Sequence, residues 1–390
     1  MRERFSDGEA TPTQTVGVIG GGQLAWMMAM AAARLDLDLI VQTPNPTDPA
    51  LALVEQGIFA PVGDVRATEA LSDRASVITF ENEFVDLDGL QGLADRGVCF
   101  RPSLASLRPL LDKYEQRQTL ARLGLPTPKF GPVTTVEAIA SDYGFPVVIK
   151  ARRHGYDGRG TFIVKDQATL RALWPSWQLT DLLVEEFIPF ERELAVMVAR
   201  GSGGEVQLYP VVETVQVDQV CRRVFAPAMI PEGVAKEVGA IASQLITALD
   251  AVGIFGIELF LTAEGRVLVN EIAPRTHNSG HYSLEACDIS QFEMQLRAVT
   301  GQPLPPPQWL YPGAVMVNLL GFEVSESDYL QKREAIAQIP GAVVRWYGKG
   351  TSQPGRKLGH VTVCLTAEQW EQREAIASQI ENHWYSQGLS

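Results

Sequence analysis

The sequence predicts a chain of mixed α/β and α+β class built in three parts: a doubly wound parallel sheet, a strand-rich central domain and a small, mostly-β end. Three observations carry this. A strand-like run, Thr15-Val16-Gly17-Val18-Ile19, passes through the glycine turn Gly20-Gly21-Gly22 into a helix-like stretch, which is how a doubly wound sheet begins. Beyond Asp112, apolar strand-like segments return on one another with one long amphipathic helix among them. The proline-rich stretch Pro303–Pro307 then separates a last part from the middle. The expected divisions are a loose extension over 1–15 and domains over 16–111, 112–302 and 303–390.

In chain order, the first part pairs the opening strand with a helix over Ala25–Leu35 and a second strand over Leu37–Val41. Val77–Phe80 is a later strand, and Glu81 and Glu83 stand at its carboxyl end, where open α/β sheets place ligands. The middle part opens with a helix over Leu110–Leu123, stopped by Gly124 and Pro126. Strands follow over Pro146–Lys150, Thr161–Val164, Leu182–Glu186 and Glu193–Ala199. A helix over Glu232–Leu249 has Val234, Val238, Ile241, Leu245 and Leu249 on one face. Strands over Ile257–Leu261 and Arg266–Glu271 come next. The last part holds strands near Ala314–Leu319 and His360–Leu365, and a final helix.

Composition excludes several functions. Across 390 residues, Lys plus Arg is 33 and Asp plus Glu is 46, a net charge of -13, so nucleic acid and anionic membrane are poor main partners. No apolar run approaches the roughly 18 residues of a membrane span. Cys99, Cys221, Cys287 and Cys364 lie far apart, without the spacing of a disulfide framework or a zinc site, which fits a reducing cytoplasm.

Glu258, Asn270 and Glu271 make the sharpest local argument. If Glu264-Gly265 is a two-residue hairpin turn, Ala263 pairs with Arg266 and Glu258 faces Glu271. Facing carboxylates repel unless neutralised, and a hard divalent cation accompanied by phosphate is the usual answer. Solvated surface glutamates are the plain alternative, but the flanking residues are apolar. Asn270 points to the opposite face unless the strand bulges there. The loop Gly155-Tyr156-Asp157-Gly158-Arg159-Gly160 suits either a surface turn or a phosphate-covering lid. Lys150, at the end of the preceding strand, raises the second reading. Glu185-Glu186-Phe187-Ile188 fits a strand end or an adenine slot, with Glu193 in reach of ribose hydroxyls. Ala273-Pro274-Arg275-Thr276-His277-Asn278-Ser279-Gly280-His281 is dense in polar groups suited to an anionic substrate, whereas zinc would lack a third soft ligand. Lys349, Arg356 and Lys357 form either a solvated turn or a phosphate pocket. Gly20-Gly21-Gly22-Gln23 lacks the last glycine of a dinucleotide loop, and Ala25 stands there instead, so a nicotinamide cofactor is a poor fit.

Together these segments resemble the ATP-grasp superfamily, and within it the 5-(carboxyamino)imidazole ribonucleotide synthase family, over about Val16 to Leu365. The most specific pieces are Gly20-Gly21-Gly22-Gln23-Leu24, the Gly155–Gly160 loop, Asn270 through His281, and Pro354-Gly355-Arg356-Lys357-Leu358-Gly359-His360. The resemblance implies a Rossmann-like N-terminal domain, a central ATP-grasp domain and a small C-terminal domain. It implies ATP contacts at Lys113, Lys150, Gly155, Tyr156, Asp157, Gly158, Arg159, Gly160, Thr161, Glu185, Glu186, Phe187, Ile188, Glu193, Asn270 and Glu271. Gln216 stands where the family often has a histidine near the nucleotide. Glu258 and Glu271 match the ligands of magnesium, or of manganese in its place. Gln23, Leu24, Glu81, Arg275, His277, Lys349, Arg356 and Lys357 match substrate-binding positions. Asp157, Tyr156, Arg159, Arg275, His277 and Lys349 match catalytic ones.

The implied substrates are ATP, bicarbonate and 5-aminoimidazole ribonucleotide, the implied intermediate is carboxyphosphate, and the implied assembly is a cytoplasmic homodimer in purine biosynthesis. Asp157, aided by Tyr156, is the candidate base for the amine proton. Two rival readings are a formate-dependent glycinamide ribonucleotide transformylase and a nucleotide-binding regulator without turnover. The first tends to carry Glu where Gln23 stands, and intact Glu258, Glu271, Lys150 and Asp157 argue against the second.

Overall fold

The structure, a computed structural model, describes residues 14–153, 155, 160–177 and 181–386. The first sheet is parallel, with strands β1 (Gln14–Ile19), β2 (Leu37–Thr43), β3 (Gln56–Phe59) and β4 (Val77–Phe80) in the order β3-β2-β1-β4. Strand β1 already includes Gln14 and Thr15, which were expected in the loose extension. The strand order reverses between β1 and β4, so the turn Gly20–Gly22 and the residues after Phe80 meet at a switch point.

A small antiparallel sheet follows, formed by β5 (Phe130–Pro132), β6 (Val147–Ala151), β7 (Thr161–Val164) and β8 (Leu182–Glu186) in the order β5-β8-β6-β7. The helix before it spans Lys113–Arg122 rather than starting at Leu110. Asp112 resets the start, because its carboxylate accepts from the N–H groups of Tyr114 (2.9 Å) and Glu115 (3.4 Å). Leu110 instead belongs to a short 3-10 turn, Arg108–Leu110.

The large sheet has nine strands: β9 (Phe190–Arg200), β10 (Val206–Leu208), β11 (Val212–Val217), β12 (Val220–Ala226), β13 (Gly253–Thr262), β14 (Val267–Ala273), β15 (Gly313–Leu320), β16 (Ala342–Trp346) and β17 (Lys357–Leu365). Its order is β14-β13-β9-β11-β12-β15-β17-β16, with β10 added to β9. The prolines at 303–307 therefore do not divide the sheet. Strand β15 lies antiparallel on β12, with Arg223 opposite Val317, and carries the last part of the chain onto the central one. The helix Glu232–Ala248 buries Val238, Ile241 and Leu245 on β9 and β13, as its spacing predicts.

The helix Gln291–Thr300 serves two cores. Met294 and Ala298 pack with Ile254 and Ala199 of the large sheet. Phe292, Leu296 and Val299 pack with Ala25 and Met28 of the first domain. A further tie joins the segment after β14 to β15: Asn278 Nδ2 donates to Asn318 Oδ1 (2.9 Å), and Asn318 Nδ2 donates to Asn278 Oδ1 (2.7 Å). Both side chains are buried. Asn318→Leu leaves the Asn278 amide without its partner, so a loss of about 1–3 kcal/mol is expected. Urea unfolding checks this through a lower midpoint at unchanged slope; an unchanged midpoint would refute it.

Candidate active site

Strands β13 and β14 carry the carboxylates. Thr262 N–H donates to the Arg266 carbonyl (3.0 Å) and Gly265 N–H to the Thr262 carbonyl (2.9 Å). The loop is therefore Ala263-Glu264-Gly265, with Gly265 at φ 81°, not a two-residue turn. From it Leu261 pairs with Val267 and Leu259 with Val269. The register then shifts by one residue, and Glu258 does face Glu271. The bulge at Asn270 takes up the residue that the longer loop displaced. It also brings Asn270 into the site, where its Oδ1 accepts from Lys150 Nζ at 3.0 Å. Glu193 pairs with Phe260, two residues along β13 from Glu258, so alternation puts both carboxylates on one face. Burial, helped by Glu258, pushes the Glu193 carboxyl up to about 8.

Beneath them lies a buried charge chain. Arg117 Nε donates to Glu185 Oε1 (2.7 Å), and Lys150 Nζ meets Glu185 Oε2 (2.9 Å). The Arg117 guanidinium also donates to the carbonyls of Val269 (3.1 Å) and Asn270 (2.6 Å), which pins the bulge. Burial alone would raise the Glu185 carboxyl, but Arg117 and Lys150 outweigh it and hold the group at about 2. Burial pushes the Lys150 ammonium below its ordinary value, against the pull of Glu185. Both oxygens of Glu185 are engaged, one by Arg117 and the other by Lys150. Lys113 Nζ lies 2.5 Å from Glu271 Oε1. Burial would raise Glu271 too, but Lys113, with Lys150 and His277, outweighs it and holds the carboxyl below its ordinary value.

Lys113 is set by Asp112, which caps its helix and accepts from Arg152 Nε (3.0 and 3.1 Å). The Lys113 N–H also donates to the Arg152 carbonyl at 2.8 Å. Thr161 pairs with Lys150, and the Ala151 N–H donates to the Gly160 carbonyl (2.7 Å), so the rims of the glycine loop sit beside Lys150. Gly155 is partly buried at that rim, while Tyr156, Asp157, Gly158 and Arg159 lie outside the described residues. Glu186 Oε1 accepts from the Lys129 N–H (2.7 Å), Phe187 is partly buried and Ile188 is buried, forming the segment between β8 and β9. Gln216 sits two residues beyond Thr214, the partner of Glu193, at an irregularity in β11.

Across the cleft, Glu81 follows β4. Its carboxylate accepts from the N–H groups of Gly22 (2.7 Å) and Leu24 (3.1 Å) at the start of the helix Gln23–Ala32. An internal carboxylate thus fills the anion position that a dinucleotide pyrophosphate takes in other such loops. A side chain at Gly20 or Gly22 would collide with that carboxylate. Burial raises the Glu81 carboxyl, although these N–H groups and Arg275 pull it back. Arg275 Nε lies 2.9 Å from Glu83 Oε1, linking the segment after β14 to the same corner. His277 Nδ1 bonds Ser279 Oγ (2.9 Å), and its Nε2 lies 3.8 Å from Glu258 Oε1. Lys349 Nζ donates to the Lys357 carbonyl (2.8 Å) and lies over the Tyr347 ring, which also meets Trp26 of the first domain edge-on. Arg356 donates to Thr351 from an exposed turn.

The chain matches three family models in order: a ribonucleotide synthetase preATP-grasp domain over residues 13–108, an ATP-grasp domain over 118–292, and a phosphoribosylaminoimidazole carboxylase C-terminal domain over 314–375. It is 54% identical to the N5-carboxyaminoimidazole ribonucleotide synthase of Synechococcus elongatus, covering 96% of each chain. The chain belongs to the N5-carboxyaminoimidazole ribonucleotide synthase family. Its fold is similar to the solved synthetase of Thermotoga maritima, with 39% identity and a TM-score of 0.85 over 95% of this chain and 98% of that one. It is also similar to the Aspergillus clavatus synthase solved with ADP and 5-aminoimidazole ribonucleotide, with 31% identity and a TM-score of 0.86 over 94% and 98%.

In this member of the N5-carboxyaminoimidazole ribonucleotide synthase family, Arg117, Asp112 and Tyr347 are residues the sequence reading passed over. Only Asp112 had a readable signal, an acidic N-cap before a helix. The position of Arg117 depends on a partner 68 residues away. Because Glu185 titrates lower in the folded chain than its ordinary 4.5, it stabilises the fold above about pH 4.5 and loses that contribution as pH falls toward 2. Glu185→Gln leaves Arg117 and Lys150 uncompensated, so a loss of about 3–5 kcal/mol at pH 7 is expected. The variant's stability should also change less than the parent's across that acid window. Urea unfolding at stepped pH measures both, and equal acid limbs would remove Glu185 as the anchor.

Proposed function

We propose that this chain carboxylates 5-aminoimidazole ribonucleotide with bicarbonate at the expense of ATP, giving N5-carboxyaminoimidazole ribonucleotide, ADP and phosphate in purine biosynthesis. The observation that carries it is the Glu258–Glu271 pair beside Lys113 and Lys150, set in a chain of this family. The Aspergillus clavatus synthase solved with ADP and 5-aminoimidazole ribonucleotide supports the same two ligands here. The formate-dependent alternative has no observation in its favour.

Bicarbonate is a weak electrophile, so its oxygen attacks the γ-phosphorus, the bond to ADP breaks, and carboxyphosphate forms. Lys113 and Lys150 meet the phosphate oxygens, and the Glu185 and Arg117 pairings hold Lys150 in place. Carboxyphosphate then gives CO2 and phosphate, the exocyclic amine bonds to the carbon, and its proton passes to a base. By the family resemblance, Asp157, aided by Tyr156, takes that part, and Arg159 binds phosphate or bicarbonate. Arg275, His277, Lys349, Arg356 and Lys357 bind the ribonucleotide side with Glu81, Gln23 and Leu24.

Magnesium or manganese fits the donor set. Glu258 and Glu271 face each other and offer only oxygen, and among the described residues no group of three or more His, Cys, Asp or Glu makes a protein cage. A hard cation held by two carboxylates completes its shell with phosphate and water. When bound, it neutralises charge on the transferring phosphoryl group. A homodimer in the cytoplasm is the assembly and compartment we propose. Among the described residues, no helix is long and apolar enough to cross a membrane.

Two results test this reading. With ATP, magnesium and bicarbonate, ADP and carboxylated product should form from 5-aminoimidazole ribonucleotide, and Asp157→Asn should still release ADP while product falls by about 100-fold or more. Parallel loss of both would remove the base assignment. Glu271→Gln should abolish ADP formation with the fold intact by circular dichroism, since one cation ligand is gone. Activity within a few-fold of the parent would end the carboxylate-pair argument.

A further inference from the structure

Gln291, the first residue of the helix Gln291–Thr300, is fully buried and has no part in the chemistry above. Its side chain grips one residue from both sides. The His277 N–H donates to Gln291 Oε1 (2.9 Å), and Gln291 Nε2 donates to the His277 carbonyl (2.8 Å). A main-chain donor and acceptor together leave the amide one orientation. The second Nε2 hydrogen therefore points at His281 Nδ1, 2.9 Å away, so that nitrogen accepts and the His281 proton sits on Nε2. The Ser283 hydroxyl holds the clamp itself: the Gln291 N–H donates to Ser283 Oγ (2.9 Å), which donates to the Gly280 carbonyl (2.6 Å).

The neighbourhood has been shaped to admit this grip. A Cβ at Gly280 would lie 2.7 Å from Gln291 Oε1, and one at Gly256 would lie 2.5 Å from the His277 Cβ. One turn along the helix, Gln295 reaches two other strands of the site. Its Nε2 donates to Thr79 Oγ1 (2.7 Å), two residues before Glu81, and its Oε1 accepts from the Ile254 N–H (2.7 Å), four residues before Glu258. One helix thus spaces the Glu81 corner, the Glu258 strand and the His277 segment from each other.

We propose that Gln291 is a positioning residue for ribonucleotide use: its two-sided grip on the His277 main chain holds the imidazole toward Glu258. The proposal rests on the assignment of His277 to the ribonucleotide side. Misplacing a reacting group by an ångström costs on the order of 100-fold in rate.

The test compares the full-length parent with Gln291→Met, Gln291→Glu and His277→Asn, using ATP, magnesium, bicarbonate and 5-aminoimidazole ribonucleotide. Gln291→Met removes the grip at similar volume. It should lower kcat/KM for the ribonucleotide by about 10- to 100-fold and leave the KM for ATP within about threefold. Gln291→Glu keeps the acceptor for the His277 N–H but turns an oxygen toward the His277 carbonyl, so a smaller loss in the same direction is expected. It also serves if the methionine variant does not fold. With five histidines in the chain, 15N-labelled imidazoles can be resolved, and the parent should show His281 neutral with its proton on Nε2. A proton on Nδ1 would overturn the amide orientation. Equal losses toward ATP and ribonucleotide would make Gln291 a fold residue only and overturn the proposal. An impaired His277→Asn beside an unimpaired Gln291→Met would overturn the clamp and leave the site assignment standing. An unimpaired His277→Asn would remove that assignment, and the clamp with it.

Discussion

The site depends on one buried carboxylate. Glu185 sits between Arg117 and Lys150, and these three groups belong to the small sheet and to the helix that crosses to the large one. A charge so deep is tolerable only with both oxygens satisfied, and both are. Arg117 then carries the constraint onward through the carbonyls of Val269 and Asn270. Lys150 carries it to the Asn270 side chain. The small sheet is thus tied by charge to the strand bearing the carboxylate pair, while Leu120 of the same helix packs in the apolar core with Val267 and Val269 of that strand.

The first domain joins by a different device. Its helix N-terminus is neutralised from within by Glu81, and the glycine turn wraps that carboxylate. The helix N-terminus is therefore already occupied by Glu81, which leaves no place there for a pyrophosphate. Packing of Phe292, Leu296 and Val299 against the same helix sets how far this corner stands from the large sheet.

Much of this was legible in the sequence where the signal was local. The strands Val77–Phe80, Thr161–Val164 and Leu182–Glu186 fall where alternation and bounding residues put them. The facing of Glu258 and Glu271 was legible as well, though by an argument with two cancelling errors. The loop is one residue longer than expected, and Asn270 bulges by one. Neither feature has a sequence mark, because a bulge here is decided by Arg117 reaching from a helix about 150 residues earlier. Strand β12 was missed because Arg222 and Arg223 interrupt its apolar pattern; the structure pairs Arg223 with Glu374 and Glu381 of the last helix, Arg373–Tyr385. Hydrogen bonding runs on from β12 to β15 across the break drawn at Pro303.

That unbroken ladder bears on how the polypeptide can be divided. Ending the chain after the prolines would strip β12 of its neighbour and leave a row of N–H and C=O groups facing water beside the buried side chains of Val224 and Phe225. Such an edge invites pairing with another copy. The final segment is therefore not a detachable module, and a fragment lacking it would behave as a sticky half-sheet. Supplied separately, the missing piece has a ready template on which to dock.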